Sequence, residues 1–391
     1  MVVPMKPELH SGFGMGGRIA RTLAREVTPS FREGSDEYWM EQALLESMEA
    51  VGIAAPNPAV GCILVQNGRE VGRGHTQAWR HEHAERMALR SLAAGADLSQ
   101  VTAYVTLEPC SHQGFQPPCV DLFLESAIPE IVIAARDTDP RVNGEGIRRL
   151  QEAGKRVRVG VLEKEAQAWN AAFFGSRRKK APVWFAKWAR TPGGFLADAT
   201  GHSQWITNPQ SRAYTHWLRQ KADAIVVGAG TFLRDRPRLT VRDCAPPHQA
   251  EPVRFVLDSR GRLLQVPPEW LEGFEVLVPE EVLGSGTEAV SQSIKPVPDT
   301  GEDPWIRLKR ALEGHTYSKP LQSVFLEGGP RILREFLARG WIDGVHEFMG
   351  PREFETVSEK YRLDWSPSSD WTLVATETFG QDLLQEWRKK G

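Results

Sequence analysis

The sequence predicts two consecutive α/β domains, and three observations carry that prediction. A chain of 391 residues exceeds a single typical core and suits two domains of about 150 to 200 residues each. Runs rich in β-branched and aromatic residues alternate with helical runs, the order that produces α/β layers. A basic, proline-ended stretch, Ser176-Arg177-Arg178-Lys179-Lys180-Ala181-Pro182, separates the two halves and reads as a solvated linker. The boundaries that follow are an extension over 1–35, a first domain over 36–176 and a second over 182–391.

Residues 1 to 35 read as a flexible or loosely packed extension. Within them Gly12-Phe13-Gly14-Met15-Gly16-Gly17 formally matches the dinucleotide-binding pattern G-x-G-x-x-G. Too few residues precede it to supply a strand, so no βαβ unit can be built around it. The first helix begins after Ser35, with Asp36 and Glu37 in its first turn and Met40, Leu44 and Met48 on one side, and ends near Gly52. Pro56-Asn57-Pro58 then leads into a strand from Ala59 to Val65, and Asn57 is placed at the substrate. Val101 to Leu107 is a strand that delivers Glu108-Pro109-Cys110 into a helix or tight loop. A helical segment, Glu163 to Phe174, closes the first half.

The second half opens on the strand-like Val183-Trp184-Phe185-Ala186-Lys187 and continues with strands at Ala224 to Val227 and Phe255 to Leu257. Gly284 to Asp303 reads as a long polar surface loop. Ser323 to Glu327 is a strand that runs into Gly328-Gly329-Pro330, and the helix after it buries Ile332, Leu333, Phe336 and Leu337. Pro330 suits its first position and Gly340 its end. Strand, glycine pair and helix N-terminus together make an anion cradle, since free N–H groups and the helix dipole point at one spot. Gly228-Ala229-Gly230-Thr231 repeats the pattern, and two such elements favour a phosphorylated ligand or a dinucleotide.

The chemistry-bearing motif is His83-Ala84-Glu85, followed by Pro109-Cys110 and then Cys119. One imidazole and two thiols can hold a tetrahedral Zn²⁺ with its fourth position open, and bound zinc lowers the pKa of water to about 7. A carboxylate two residues from the imidazole can then move that water's protons, which makes Glu85 the general acid and base. This is the equipment of a zinc-dependent deaminase. A thiol at a helix N-terminus would gain thiolate character from the dipole. The segment Ser111 to Pro118 between the cysteines is polar and punctuated by Gly and Pro, so it forms a loop beside the metal that can line a substrate pocket.

Composition excludes several classes. A formal charge of −2 gives no electrostatic reason to expect nucleic acid, and the thirteen tryptophans are scattered and not arranged along a basic stripe. No stretch is apolar enough to span a membrane or act as a signal peptide. Of four cysteines, two are assigned to metal; Cys62 and Cys244 read as buried small residues and not as a disulfide. A reducing, cytoplasmic setting is expected.

Across residues 36 to 390 the chain resembles the bifunctional riboflavin-biosynthesis deaminase/reductase family. The resemblance rests on Pro56-Asn57-Pro58-Ala59-Val60-Gly61, His83-Ala84-Glu85, Thr106 to His112, Pro117-Pro118-Cys119, Ser203-Gln204-Trp205-Ile206-Thr207, Gly230-Thr231, Asp235, Pro237, Leu239-Thr240-Val241-Arg242 and Glu327-Gly328-Gly329, in that order. It implies an N-terminal domain similar to cytidine deaminases that removes an amine from a phosphoribosylamino-diaminopyrimidinone. It also implies a C-terminal domain similar to dihydrofolate reductase that reduces the ribose of the product with NADPH. Carried over by motif, His83, Cys110 and Cys119 hold Zn²⁺ and Glu85 shuttles protons. Asn57, His75, Ser203, Arg219, Leu239, Arg242 and Glu327 match substrate contacts, and Ala189, Trp205, Thr231, Asp235, Ser259 and the segment from Gly329 to Glu335 match NADPH contacts. Arg219 and Arg242 suit a phosphate. The resemblance further implies a homo-oligomer formed through the reductase domain.

Several positions depart from the family pattern. Ala78-Trp79-Arg80-His81-Glu82 is bulkier and more charged than the usual glycine-containing loop, and Arg86 follows Glu85 where a small apolar residue is usual. Phe115 replaces an arginine, removing a cation from a pocket that handles a phosphate. Thr191-Pro192-Gly193-Gly194 lacks an acidic residue near the cofactor, and Pro351-Arg352-Glu353-Phe354 lacks a following glycine. Two other readings follow: an enzyme whose reductase is silent, and a non-catalytic nucleotide-binding descendant, against which the intact Glu85 argues.

Overall fold

The computed structural model describes residues 31–138, 143–242, 251–283, 292–314 and 319–390. The glycine-rich segment 12–17, Cys244 and residues 284–291 lie outside them.

Helix α1, Asp36–Glu46, starts where a hydroxyl can satisfy a free N–H: the Ser35 side chain accepts from the Tyr38 amide at 3.2 Å, and Asp36 and Glu37 face the positive end of the helix. A 3₁₀ turn, Ser47–Ala50, continues it. There follow β1, Gly61–Gln66; β2, Arg69–His75; α2, Ala84–Arg90; β3, Val101–Leu107; α3, Cys119–Glu125; β4, Glu130–Ala135; α4, Glu145–Glu152; and β5, Arg156–Val159. Their sheet runs β2-β1-β3-β4-β5, with β1 antiparallel to both neighbours and β3, β4 and β5 parallel. Helix α1 packs onto β1 so closely that a Cβ at Gly61 would collide with the Ala43 carbonyl oxygen. Cys62, fully buried on β1, is part of this core.

Two sequence expectations need correction at the end of this domain. The segment from Glu163 to Phe174 is two helices, α5, Glu163–Trp169, and α6, Ala171–Lys179. They break at Asn170, whose side chain accepts from the Ala59 amide at 2.9 Å and donates to the Ala59 carbonyl at 3.0 Å, tying the corner to the entry of β1. The basic stretch read as a solvated linker is largely the last turn of α6, and Lys180 caps it in the left-handed conformation. Arg177, Arg178 and Lys179 there face the negative end of the helix dipole, so the charge run is a helix-terminating signal.

The second sheet is built from β6, Val183–Arg190; α7, Pro209–Gln220; β7, Ala224–Gly228; α8, Ala229–Asp235; β8, Val253–Leu257; β9, Glu275–Pro279; β10, Ile294–Val297; α9, Pro304–Glu313; β11, Ser323–Glu327; α10, Pro330–Ala338; β12, Gly344–Met349; β13, Trp371–Phe379; and β14, Asp382–Lys389. Among the described residues it is nine-stranded, in the order β10-β9-β8-β7-β11-β6-β12-β14-β13, parallel from β10 to β12 and antiparallel beyond. Strand β10 corrects the expectation of one long loop from Gly284 to Asp303. Pro296 has no N–H to donate and is tolerated there because β10 is an edge strand. Asp303 caps α9 by accepting from the Trp305 amide at 2.8 Å. Pro330 opens α10, which buries Ile332, Leu333 and Phe336, and Gly340 follows its end with φ +66°.

The two sheets share apolar packing. Met48, Val51 and Trp169 from the first half are buried in one cluster with Tyr214, Trp217 and Leu218 of the second, and the Trp169 and Trp217 rings lie 5.8 Å apart. Gln322 donates to the Pro56 carbonyl at 2.7 Å across the same junction. Truncating Trp169 would leave a cavity in this shared core, so Trp169→Ala is expected to cost about 3–5 kcal/mol in denaturant titration. A loss below about 1 kcal/mol would show that the junction is not a packed core.

Candidate active sites

The chain from β3 emerges into a short loop, Glu108 to Cys110, that is held from below. Glu108 is only 3% exposed, and its carboxylate accepts from the backbone amides of Asp137 at 3.3 Å, Gly144 at 3.0 Å, Gly146 at 3.1 Å and Ile147 at 3.4 Å. A buried carboxylate requires such partners, and here they tie the loop to the start of α4. The approach is so close that a Cβ at Gly146 would collide with the Pro109 carbonyl. Cys110 is thereby fixed in a loop. The thiol that opens a helix is Cys119, the first residue of α3, and its amide donates to Cys110 Sγ at 3.3 Å. Hydrogen bonding from Cys119, with His83 close by, lowers the Cys110 thiol below its ordinary value.

His83 immediately precedes α2 and turns Nδ1 toward both sulfurs, at 3.6 Å from Cys110 Sγ and 3.3 Å from Cys119 Sγ. All three ligand atoms lie within 4.8 Å of one another. A tetrahedral ion with Zn–N near 2.05 Å and Zn–S near 2.3 Å sets its N and S ligands about 3.6 Å apart, so this donor set fits zinc. Glu85, in the first turn of α2, is 4% exposed, and burial raises its carboxyl above the usual range.

Glu85, His83 and Cys110 open onto a cavity of about 300 Å³, whose wall also includes Asn57, Trp79, Arg80, His112, Phe115 and Arg177. The His112 Nδ1 is buried there with no partner among the described residues. His75 does not line this cavity: its Nδ1 lies 2.8 Å from the Glu46 carboxylate on α1. Sequence reasoning missed Arg177, taken for linker, because only the folded α6 brings it back to the first domain's cavity. It rests over the Phe173 ring at 4.6 Å.

On the second sheet, a cavity of about 400 Å³ brings together Thr231, Ser259 and Gly329, three of the six positions matched to NADPH. The two glycine-bearing elements meet here, the Gly329 amide donating to Thr231 Oγ1 at 2.8 Å. Arg234, Arg260, Arg262, Arg331 and Arg334 surround them. Burial, with the neighbouring charges of Arg260 and Arg262, lowers the Arg331 guanidinium below its ordinary value. These residues fit a phosphate-bearing dinucleotide. Ala189, on β6, Trp205, 67% exposed beneath the Arg212 guanidinium, and Asp235, at the end of α8, stand outside the lining of this cavity.

A second polar cluster joins the end of β11 to α7. Arg219 pairs with both oxygens of Glu327, at 2.5 and 3.0 Å, and donates to the Thr240 carbonyl at 3.1 Å, while Arg242 reaches the Thr240 hydroxyl at 3.3 Å. Leu239 is buried beside them with φ +51°, and Ser203 is half-buried in the loop before α7. Lys187 on β6, read in the sequence only as part of a strand, is in register with Glu327, and desolvation lowers its amine below the ordinary value. The Gly193 amide donates to the Glu353 carboxylate, and a Cβ at Gly193 would lie 3.0 Å from Glu353 Oε1.

Residues 33–135 match the family model for the cytidine and deoxycytidylate deaminase zinc-binding region, and residues 182–384 match that for the RibD C-terminal domain. The chain is thus a zinc-dependent deaminase joined to an NADPH-dependent reductase. Riboflavin biosynthesis protein RibD of Aquifex aeolicus is 37% identical over 322 residues, covering 81% of this chain and 87% of that protein. RibD of Actinobacillus pleuropneumoniae is 34% identical, covering 92% and 96%. A solved structure from Thermotoga maritima, a diaminohydroxyphosphoribosylaminopyrimidine deaminase/5-amino-6-(5-phosphoribosylamino)uracil reductase, superposes with a TM-score of 0.76 at 33% identity, covering 90% of this chain and 98% of its own. The chain belongs to the RibD family of riboflavin-biosynthesis enzymes. Among its described residues no helix is long and apolar enough to cross a membrane.

Because Glu108 holds Cys110 in place through its amide bonds, Glu108→Gln is expected to weaken zinc binding by about 10- to 100-fold in competition with a chelator. Unchanged affinity would show that the loop holds its shape without that carboxylate.

Proposed function

We propose that the chain performs two successive steps of riboflavin biosynthesis. It hydrolyses the amine of 2,5-diamino-6-(5-phosphoribosylamino)pyrimidin-4(3H)-one, then reduces the ribosyl side chain of the product to ribityl. The observation that carries the first step is Glu85: a buried carboxyl with a raised pKa, in one cavity with His83 and Cys110. Zinc, when held by His83, Cys110 and Cys119, supplies a Lewis acid that makes water nucleophilic at neutral pH. Glu85 would take the two protons of the attacking water in turn and pass one to the ring nitrogen and the other to the departing ammonia, so that the carbon exchanges its amine for an oxygen and one water is consumed. Asn57, in the cavity wall, is suited to hydrogen-bond the pyrimidine edge.

In the second domain NADPH supplies the hydride. The arginines around Gly329 and Thr231 would hold its phosphates, and Ser259 lines the same cleft. Arg219, Arg242 and Glu327 would orient the sugar phosphate, and Lys187, whose ammonium burial makes more acidic, would give a proton to the ribosyl ring oxygen as its bond to the anomeric carbon breaks and that carbon is reduced. Chains associate through the reductase sheet, where edge strand β13 exposes Leu373 and Val374. The partner is a small molecule and not a nucleic acid, in keeping with the charge of −2.

Ammonia release and NADPH oxidation, followed separately on the diaminopyrimidinone phosphate, test this. Glu85→Gln is expected to slow ammonia release by about 10²- to 10⁴-fold with zinc content retained. Full activity in that variant would remove Glu85 from the mechanism. Lys187→Met is expected to slow NADPH oxidation by about 10²- to 10⁴-fold while ammonia release continues. An undiminished rate would assign the proton to another donor.

A further inference from the structure

We propose that Arg80, held in the corner of the Trp79 and Phe115 rings at the mouth of the deaminase cavity, is the residue by which this chain recognises the phosphate of its deamination substrate; this rests on the deaminase reading above. The Arg80 guanidinium carbon lies 4.3 Å from the Trp79 ring centroid and 4.7 Å from that of Phe115, and the two rings stand edge to face at 6.1 Å. The guanidinium therefore sits in the corner made by two aromatic faces, which hold it on two adjacent sides and leave N–H donors on its open side free to bind a phosphate. No described carboxylate pairs with Arg80.

Two features with no structural reason of their own are explained by this aromatic corner. Phe115 is 65% exposed, and a large aromatic in that setting gains its contact by covering Arg80. Arg80 itself has φ +74°, a left-handed conformation that costs a non-glycine residue about 1 kcal/mol. The cost is accepted in a loop that places both Trp79 and Arg80 in the wall of the cavity. That same cavity contains His83, Glu85 and Cys110, so a molecule with its pyrimidine over Glu85 can extend a sugar phosphate to the rim. Position 115 itself contributes no charge. The cation comes instead from the preceding loop, and the aromatic ring at 115 serves as its platform.

The test is ammonia release by the full zinc-loaded chain from the phosphorylated substrate and from its dephosphorylated ribosyl counterpart, read as the ratio of the two kcat/KM values. Arg80→Gln is expected to lower this phosphate preference by about 10- to 100-fold, with most of the loss in KM for the phosphorylated compound. Arg80→Lys is expected to restore only part of it, because an ammonium is a point charge without a stacking face. Phe115→Leu, which keeps the charge and removes the platform, is expected to lower the preference several-fold. An equal loss on both compounds in Arg80→Gln would reduce Arg80 to a structural role, and an unchanged ratio would transfer the phosphate to another cation such as Arg177. Wild-type protein that releases ammonia from neither compound would overturn the deaminase reading itself, a result separable from either of those.

Discussion

Two sulfurs and an imidazole nitrogen from three separate segments converge within 4.8 Å, and electron-rich atoms remain that close only around a shared cation or proton. The first domain is arranged to meet that constraint. Strand β3 delivers Cys110, the start of α3 provides Cys119, and His83 is placed one residue ahead of α2, so that Glu85 follows in its first turn. The four amides on Glu108 serve the same end, since a loop carrying a ligand must be held before the metal arrives. Burial of Glu85 beside the ligands is then a consequence of the packing, and that burial moves its carboxyl toward the range a proton shuttle needs.

The second domain solves a different problem with the same means. Its chemistry belongs to the cofactor, so the protein must position two anionic molecules against each other. Parallel strands β7 and β11 are neighbours, and the glycine-bearing segments at their ends meet through Thr231 and Gly329. Arginines gather where the backbone amides converge. On the other side, the pairing of Arg219 with Glu327 keeps an acid and a base in place beside Lys187, and mutual compensation is what allows three ionisable groups to crowd at a strand end. Trp169 and Trp217 lock this domain onto the first, so product formed in one cavity is released by a chain that also holds the next site.

Much of this was legible in local sequence. The strand from Val101 to Leu107, the helix after Ser35, and the Gly329-Pro330 junction appear where β-branched runs, a hydroxyl cap and a proline at the first helical position place them. The metal ligands were legible because the donor types and their order leave little else for them to do. What escaped depended on tertiary contacts. The arginines and lysines from Arg177 to Lys179 read as a solvated linker from their charge, yet their position at a helix C-terminus makes the same charge stabilising. Strand β10 was hidden by Pro296, which only an edge position accommodates. The anchoring role of Glu108 and the buried amine of Lys187 escaped because such groups are distinguished by their neighbours: those of Glu108 lie between 29 and 39 residues away in the chain, and Lys187 meets Glu327 only through the register of two strands.

The central claim is that His83, Cys110 and Cys119 form one zinc site, and X-ray absorption at the zinc edge, with metal content measured on the same sample, tests it most directly. The account expects stoichiometric zinc with two sulfur neighbours at about 2.3 Å and nitrogen or oxygen neighbours at about 2.0 Å. Substoichiometric zinc, or a coordination shell without two sulfurs, would contradict it.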